Sequence, residues 1–253
     1  MFIINSPIEE IIEINPQIFL LKVFSPEIAR IIKPGQFLNI RVTERTQPLL
    51  RRPFSICDVE GEHIFLLFNI MGEGTSMLAD KPIGSVLDIL GPLGKGFNLD
   101  GDFETAIIVA GGLGAAPFPY FTRMLKGKKN IYSFIGGRTQ NDIITYKLDN
   151  VKEASDDGSR GFKGNVVHLV RDNSELFKHG KIKLFGCGPT AMLRALKDFC
   201  IEKDIDCEVS TECAMACGFG ICQGCPIEST NNLDHYLLVC KDGPVFNIKD
   251  VII

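Results

Sequence analysis

The chain has 253 residues, 45% hydrophobic and 23% charged, an ordinary globular composition with length for one large domain or two modest ones plus an appendage. A net charge of −4 with no basic run leaves no electrostatic footprint for nucleic acid. The longest uncharged stretch, Thr105 to Phe121, is broken by three glycines and two prolines and falls short of the ~20 apolar residues that cross a bilayer.

Taken from the start, Glu9, Glu10 and Glu13 stand where a signal peptide would have a basic region and an apolar run. The expected location is therefore cytoplasmic, where thiols stay reduced and nine cysteines point to metal before disulfides. Short strands rich in Ile, Val and Phe are predicted over Phe2 to Ile12, Ile18 to Phe24, Phe37 to Val42, Phe54 to Asp58 and Ile64 to Ile70. Pro and Gly signals such as Lys33-Pro34-Gly35 separate them. Their close spacing suggests a small antiparallel barrel, ended by Gly91-Pro-Leu-Gly-Lys-Gly-Phe97.

From Glu104 the rhythm changes. Thr105 to Ala110 reads as a buried strand, followed by a glycine turn and a helix from Pro117 to Leu125. Ile131 to Ile135 is the next strand, with a helix after Asn141. Strands at Val166 to Leu169 and Lys183 to Phe185, a helix from Thr190 to Glu202 and a strand at Cys207 to Ser210 complete the pass. Strands alternating with helices imply a doubly wound parallel sheet. The expected division is 1–100, 101–210 and a small segment at 211–253.

That last segment contains Cys213-Ala-Met-Ala-Cys217-Gly-Phe-Gly-Ile-Cys222-Gln-Gly-Cys225, with Cys240 following. Without Cys213, the set Cys217-x4-Cys222-x2-Cys225 plus a distant Cys240 has the four-then-two spacing of plant-type [2Fe–2S] sites. Gly218, Gly220 and Gly224 let backbone N–H groups approach the sulfurs, and a hairpin is expected to bring Cys240 back. Zinc is the competing reading, although it favours paired tight knuckles and only one is present. Cys213 is read as a bystander, with a fifth-thiol ligand choice left open. Cys57, Cys200 and Cys207 read as small buried hydrophobes.

Two further stretches point to nucleotides. In Arg51-Arg52-Pro53-Phe54-Ser55-Ile56, an arginine at a strand end suits a phosphate fork and a serine suits a flavin ring nitrogen. In Asn69-Ile70-Met71-Gly-Glu-Gly74-Thr75, glycines and a hydroxyl at a helix start suit a pyrophosphate. Gly111-Gly112-Leu-Gly114-Ala-Ala-Pro117 follows a strand and opens a helix, as a dinucleotide loop does, with Pro117 replacing the third glycine. Gly186-Cys187-Gly188-Pro189 ends a later strand. Cys187 reads either as lining a hydride-transfer site or as a packed turn cysteine, and Arg138 either as a ribose or 2′-phosphate contact or as a solvated loop residue.

Arg52-Pro-Phe-Ser55, Gly72-x-Gly74-Thr75, Gly91-Pro-Leu-Gly94 and Gly186-Cys-Gly-Pro189 resemble, in order, the motifs of the ferredoxin–NADP reductase superfamily. With the compact cysteine run and Cys240-x-Asp-Gly-Pro-Val-Phe246, nearly the whole chain resembles the electron-transfer subunits of NAD-dependent (type B) dihydroorotate dehydrogenases. The resemblance implies an FAD-binding barrel at 1–100, an NAD-binding domain at 101–210 and a [2Fe–2S] segment at 211–253. It implies FAD at Arg52, Pro53, Phe54, Ser55, Asn69, Ile70, Met71, Gly74 and Thr75, and NAD at Gly112, Gly114, Gly186, Gly188 and Pro189. Cys187 would stand at the hydride-transfer site, and Cys217, Cys222, Cys225 and Cys240 would hold the cluster. Phe54 replaces a tyrosine common in relatives, and Cys213 is a departure. The implied partner is an FMN-containing catalytic subunit that oxidises dihydroorotate, two copies of each forming a heterotetramer in pyrimidine biosynthesis, with no membrane partner. A nicotinamide moves two electrons as hydride and the cluster one at a time; FAD does both and belongs between them. The alternatives are the small subunit of an NADH-dependent ferredoxin:NADP oxidoreductase or of a sulfhydrogenase, and a zinc-stabilised nucleotide-binding regulator.

Overall fold

The computed structural model describes residues 1–177, 180–230 and 236–253. The N-terminal half supplies β1 (Phe2–Asn15), β2 (Ile18–Phe24), the short helix α1 (Pro26–Ala29), β3 (Phe37–Arg41), β4 (Arg52–Glu60), β5 (His63–Asn69), α2 (Glu73–Ala79) and β6 (Val86–Leu93). The strands close into a barrel in the order β1-β2-β5-β4-β3-β6, every pair antiparallel. Alternation turns Leu38 and Ile40 of β3 into the barrel core with Leu21, Leu66 and Phe68, and turns Phe37 outward. That outward face of β3 is where the cysteine segment docks.

The second half supplies β7 (Thr105–Gly111), α3 (Phe118–Leu125), β8 (Asn130–Gly137), β9 (Val151–Ser155), β10 (Phe162–Lys163), α4 (Val166–Asp172), β11 (Ile182–Cys187), α5 (Thr190–Lys203) and β12 (Asp206–Ser210). β13 (Pro226–Glu228), β14 (Tyr236–Leu238) and β15 (Val245–Asn247) follow. Among the described residues the main sheet runs β10-β9-β8-β7-β11-β12-β15, all parallel except the last pair. β7 is buried on both faces, as a central parallel strand must be. Ile108 and Ala110 meet Phe118 and Phe121 of α3, and Ile107 and Val109 meet Leu193, Leu196 and Phe199 of α5.

Barrel and sheet share one apolar core. Leu20, Phe65 and Leu67 of the barrel pack in the same cluster as Phe118, Phe121 and Phe185. Phe97, just past β6, stacks on Phe118 at 5.5 Å and meets Phe121 edge-on at 5.4 Å. A charged clamp crosses the same boundary. The fully buried Asp58 of β4 takes Arg123 of α3 on one oxygen at 2.9 Å and Lys147 on the other at 3.0 Å.

The structure departs from the sequence reading in several elements. Val166 to Leu169, expected as a strand, begins α4, because the Asn165 side chain accepts from the His168 N–H at 2.9 Å and caps a helix. The helix expected after Asn141 is one 3-10 turn, Gln140–Asp142, and β9 follows instead. β6 was not anticipated, since Gly91 and Pro92 interrupt it; Gly91 stays because a Cβ there would lie 2.3 Å from Leu38 Cδ2.

Candidate functional site

Three sites adjoin one another: the first two share Asn69, Leu113 and Glu212, and the chain runs on from Glu212 to the third. The first is a cleft of about 370 Å³ between barrel strands β4 and β5 and the stretch that follows β12. Arg52, Pro53, Phe54, Ser55, Asn69, Met71 and Thr75 line it together with Phe37, Leu67 and Phe68. Register puts these residues together: β4 and β5 are antiparallel neighbours, and α2 starts directly after β5. The Thr75 hydroxyl accepts the Met71 N–H at 2.8 Å, which folds the turn into the cleft wall. Gly74 stands behind Arg52, where a Cβ would approach Arg52 Nε to 3.0 Å. Ile70 does not line the cleft; its N–H is bound to the Gln17 carbonyl at 3.1 Å. A guanidinium, two hydroxyls and an apolar floor including Phe54 make a donor set that fits a flavin nucleotide.

The second site is a cleft of about 700 Å³ at the C-terminal ends of the parallel strands, where ligands of open α/β sheets bind. Gly112, Gly114, Gly188 and Pro189 line it, with Arg138, Asp156, Asn165 and Met192. Gly114 admits no side chain, because a Cβ would lie 2.2 Å from the Cys187 carbonyl oxygen. Gly112 has φ +54 and open space beside it, so backbone alone faces the cleft. Gly186 lies behind, packed against Leu196 and Val209. Cys187 lines neither cleft: the residue is 2% exposed, burial and then the Glu212 charge push its thiol well above the usual range, and the Ser210 side chain works against them. Its side chain is enclosed rather than facing either cleft.

Glu212 was not anticipated, although its place just past the end of β12 is where α/β ligands gather. It lines both clefts, as do Asn69 and Leu113. It is open to the cleft space, yet the surrounding walls desolvate it and hold its carboxyl above the usual range. From Glu212 the chain passes Cys213 and Met215, which line the flavin-sized cleft, and reaches Ala216, Cys217 and Phe219, which line an apolar groove with Phe2, Leu49 and Leu50.

The thiols form the third site. The Cys225 and Cys240 sulfurs are buried and 3.1 Å apart. The expected hairpin brings them together: β13 and β14 pair antiparallel, and the Val239 N–H donates to the Cys225 carbonyl at 2.9 Å. Cys217 and Cys222 sit at the rim, Cys222 exposed. The Cys222 N–H points at the Cys217 sulfur at 3.4 Å, and the Gly224 N–H at the Cys222 sulfur at 3.4 Å. Desolvation works against the Cys217 thiolate, but the Cys222 and Phe219 N–H groups, the Cys222 thiol and the Ile221 N–H outweigh it and bring that thiol down to about 6. Burial pushes Cys240 up to about 12 with the Cys225 thiol adding to it, opposed by the Gly220 N–H. Cys213 lies against Cys225; burial first, then that neighbour, pushes it up to about 11.

No three His, Cys, Asp or Glu side chains among the described residues converge on a single metal position. The sulfurs stand instead as two pairs, one at the rim and amide-rich and one buried. Four thiols in two pairs, with N–H groups directed at the sulfurs, would suit a [2Fe–2S] cluster better than one tetrahedral zinc.

Residues 212–252 match the iron–sulfur cluster binding domain of dihydroorotate dehydrogenase B. The chain is 34% identical over 249 residues to the dihydroorotate dehydrogenase B (NAD(+)) electron transfer subunit of Bacillus velezensis, covering 94% of each chain. It is 36% identical to the Bacillus cereus protein of the same name, covering 95% of each. Among solved structures, the NADH-dependent reduced ferredoxin-NADP oxidoreductase superposes with a TM-score of 0.85 at 26% identity, covering 98% of this chain and 89% of that one. Phthalate dioxygenase reductase superposes at 0.61 with 21% identity, over 78% of this chain and 63% of that one, and shows the fold alone. Barrel, parallel sheet, cysteine hairpin and near-full-length similarity agree: the chain belongs to the family of dihydroorotate dehydrogenase B (NAD(+)) electron transfer subunits.

Proposed function

We propose that this chain carries electrons from a dihydroorotate-oxidising, FMN-containing partner subunit to NAD⁺ in the cytoplasm, in an assembly of two copies of each. The observation that carries the reading is the continuity of the three sites, since Glu212 to Phe219 runs from the nucleotide cleft past the flavin-sized cleft to the thiols. When bound, the [2Fe–2S] cluster supplies one-electron steps, NAD⁺ takes a hydride, and FAD supplies the exchange between the two.

The residues divide the work by position. Arg52, Ser55 and Thr75 give the barrel cleft its polar contacts, with Pro53, Phe54, Asn69 and Met71 completing its walls and Ile70 and Gly74 shaping the turn behind. Gly112, Gly114, Gly188 and Pro189 give backbone to the dinucleotide, with Gly186 and Cys187 packed beneath them. Cys217, Cys222, Cys225 and Cys240 would hold the iron, and Asn69, Leu113 and Glu212 stand where the two clefts meet.

The test is chemical analysis and turnover of anaerobically purified chain. We expect FAD, iron and acid-labile sulfide, NADH-driven reduction of artificial dyes, and no oxidation of dihydroorotate without the partner. Absence of both flavin and sulfide defeats the reading, and dihydroorotate turnover by the chain alone defeats the division of labour. The 0.85 superposition favours one second reading, the small subunit of an NADH-dependent ferredoxin:NADP oxidoreductase. Co-purification with a larger flavoprotein carrying further clusters would support it over an FMN-bearing dihydroorotate oxidase.

A further inference from the structure

The cysteine segment rests on the outer face of β3 and β6 through apolar side chains, Phe37, Leu90 and Leu93 against Cys225, Val239 and Cys240. One polar side chain is buried in the same place. Asn39 is 0% exposed, and its position is fixed on both sides by strand pairing, to Pro53 of β4 and to Leu90 of β6. Its Nδ2 donates toward the Cys217 carbonyl at 3.5 Å, while its Oδ1 has no partner among the described residues. An amide buried with half its capacity unmet is costly in an apolar interface, so packing alone does not account for it.

Gly218 supplies the other half of the contact. It is buried with φ +81, and a Cβ on it would lie 2.6 Å from Asn39 Nδ2. The loop backbone therefore comes down onto this amide as closely as a glycine permits. The turn that begins there carries the N–H groups directed at the Cys217 sulfur, including that of Cys222 at 3.4 Å.

We propose that Asn39, a residue of the barrel, is the positioning residue of the cluster loop: its amide pins the Cys217–Gly218 peptide to the rigid strand β3 and so sets the N–H groups that face the Cys217 sulfur. Hydrogen bonds to cluster sulfurs tune both potential and retention, so this strand residue acts on the iron without touching it. The inference rests on the iron–sulfur reading of the thiols.

The test compares full-length, anaerobically prepared Asn39→Asp, Asn39→Ala, Gly218→Ala and the Asn39→Ala/Gly218→Ala pair with the parent. Asn39→Asp keeps the shape and replaces the amide donor by a carboxyl that only accepts when ionised, while Asn39→Ala removes the donor outright. Both Asn39 variants should keep FAD and NADH–dye turnover, show altered g-values in the electron paramagnetic resonance spectrum of the reduced cluster, and lose iron to a chelator roughly fivefold faster, the factor one ordinary hydrogen bond carries. Gly218→Ala should lose iron faster still, and removing Asn39 as well should recover part of that loss, since the two groups meet. Unchanged spectra and release rates in the Asn39 variants, strictly additive effects in the cycle, or loss of FAD from both Asn39 variants would each overturn the proposal. A parent without iron and sulfide takes down the functional reading and this inference together, whereas a loaded parent with indifferent variants removes only this inference.

Discussion

Cys213 and Cys222 belong to the same run of sequence but differ in surroundings. Cys222 is exposed at the rim, takes the Gly224 N–H and sends its own N–H to the Cys217 sulfur. Cys213 lies on the flavin-sized cleft, half-buried against Cys225, and burial first, then that neighbour, pushes its thiol up to about 11. Cys222→Ser is therefore expected to abolish or cripple the cluster, while Cys213→Ser leaves iron content and the visible spectrum unchanged. Iron analysis of the two proteins checks this, and loss of iron on removing Cys213 reverses the ligand assignment. The grouping of the thiols was legible in sequence, because residues of one tight loop and one hairpin are brought together by local chain geometry. Glu212 and Asn39 carried no such signal. Each matters only through what the fold sets beside it, two converging clefts in one case and a docked loop in the other.

At the scale of elements, the buried Asp58 joins β4 to α3 and to the loop carrying Lys147. Asp58→Asn leaves two cations without their shared carboxylate, and because both are partly exposed the expected loss is roughly 2–3 kcal/mol, below the range for a fully buried pair. Denaturant unfolding measures it. The clamp also has an alkaline limit. Burial works against the charge on Lys147, but Glu60, Tyr146 and Asp58 outweigh it and raise its pKa. With the folded value above the unfolded one of about 10.4, its contribution is complete below that pH and is lost as pH rises through the folded value. Lys147→Arg should move the alkaline limb of a thermal-stability profile upward, and an unmoved limb would rule the clamp out as its source. Most elements were legible in sequence where periodicity was strong, as in the continuous apolar run of β7. The misread ones show what outweighs composition. Val166-Val-His-Leu-Val170 is rich in β-branched residues, yet one cap at Asn165 and packing of Val166, Val167 and Val170 against β7 and α5 make it a helix. β6 keeps its place through a barrel register that no local pattern announces.

At the scale of the whole molecule, the cysteine segment is stitched into both larger parts. It lies on β3 and β6 through Phe37, Leu90 and Leu93. Its strand β15 extends the main sheet by pairing with β12, and the Thr211 N–H donates to the Pro244 carbonyl at 2.9 Å. Mechanically, β15 is a hem on the fabric of the nucleotide domain. Cutting the chain after Ser210 would fray that hem, baring the edge of β12 to pairing with other molecules. The shortened protein should therefore precipitate on concentration where the intact one stays monodisperse by light scattering. A clear, monodisperse truncation would mean that the hem is ornamental. The cysteine-bearing piece is thus no bolt-on accessory: the same stretch that presents the thiols also seals the margin of one sheet and the flank of the barrel.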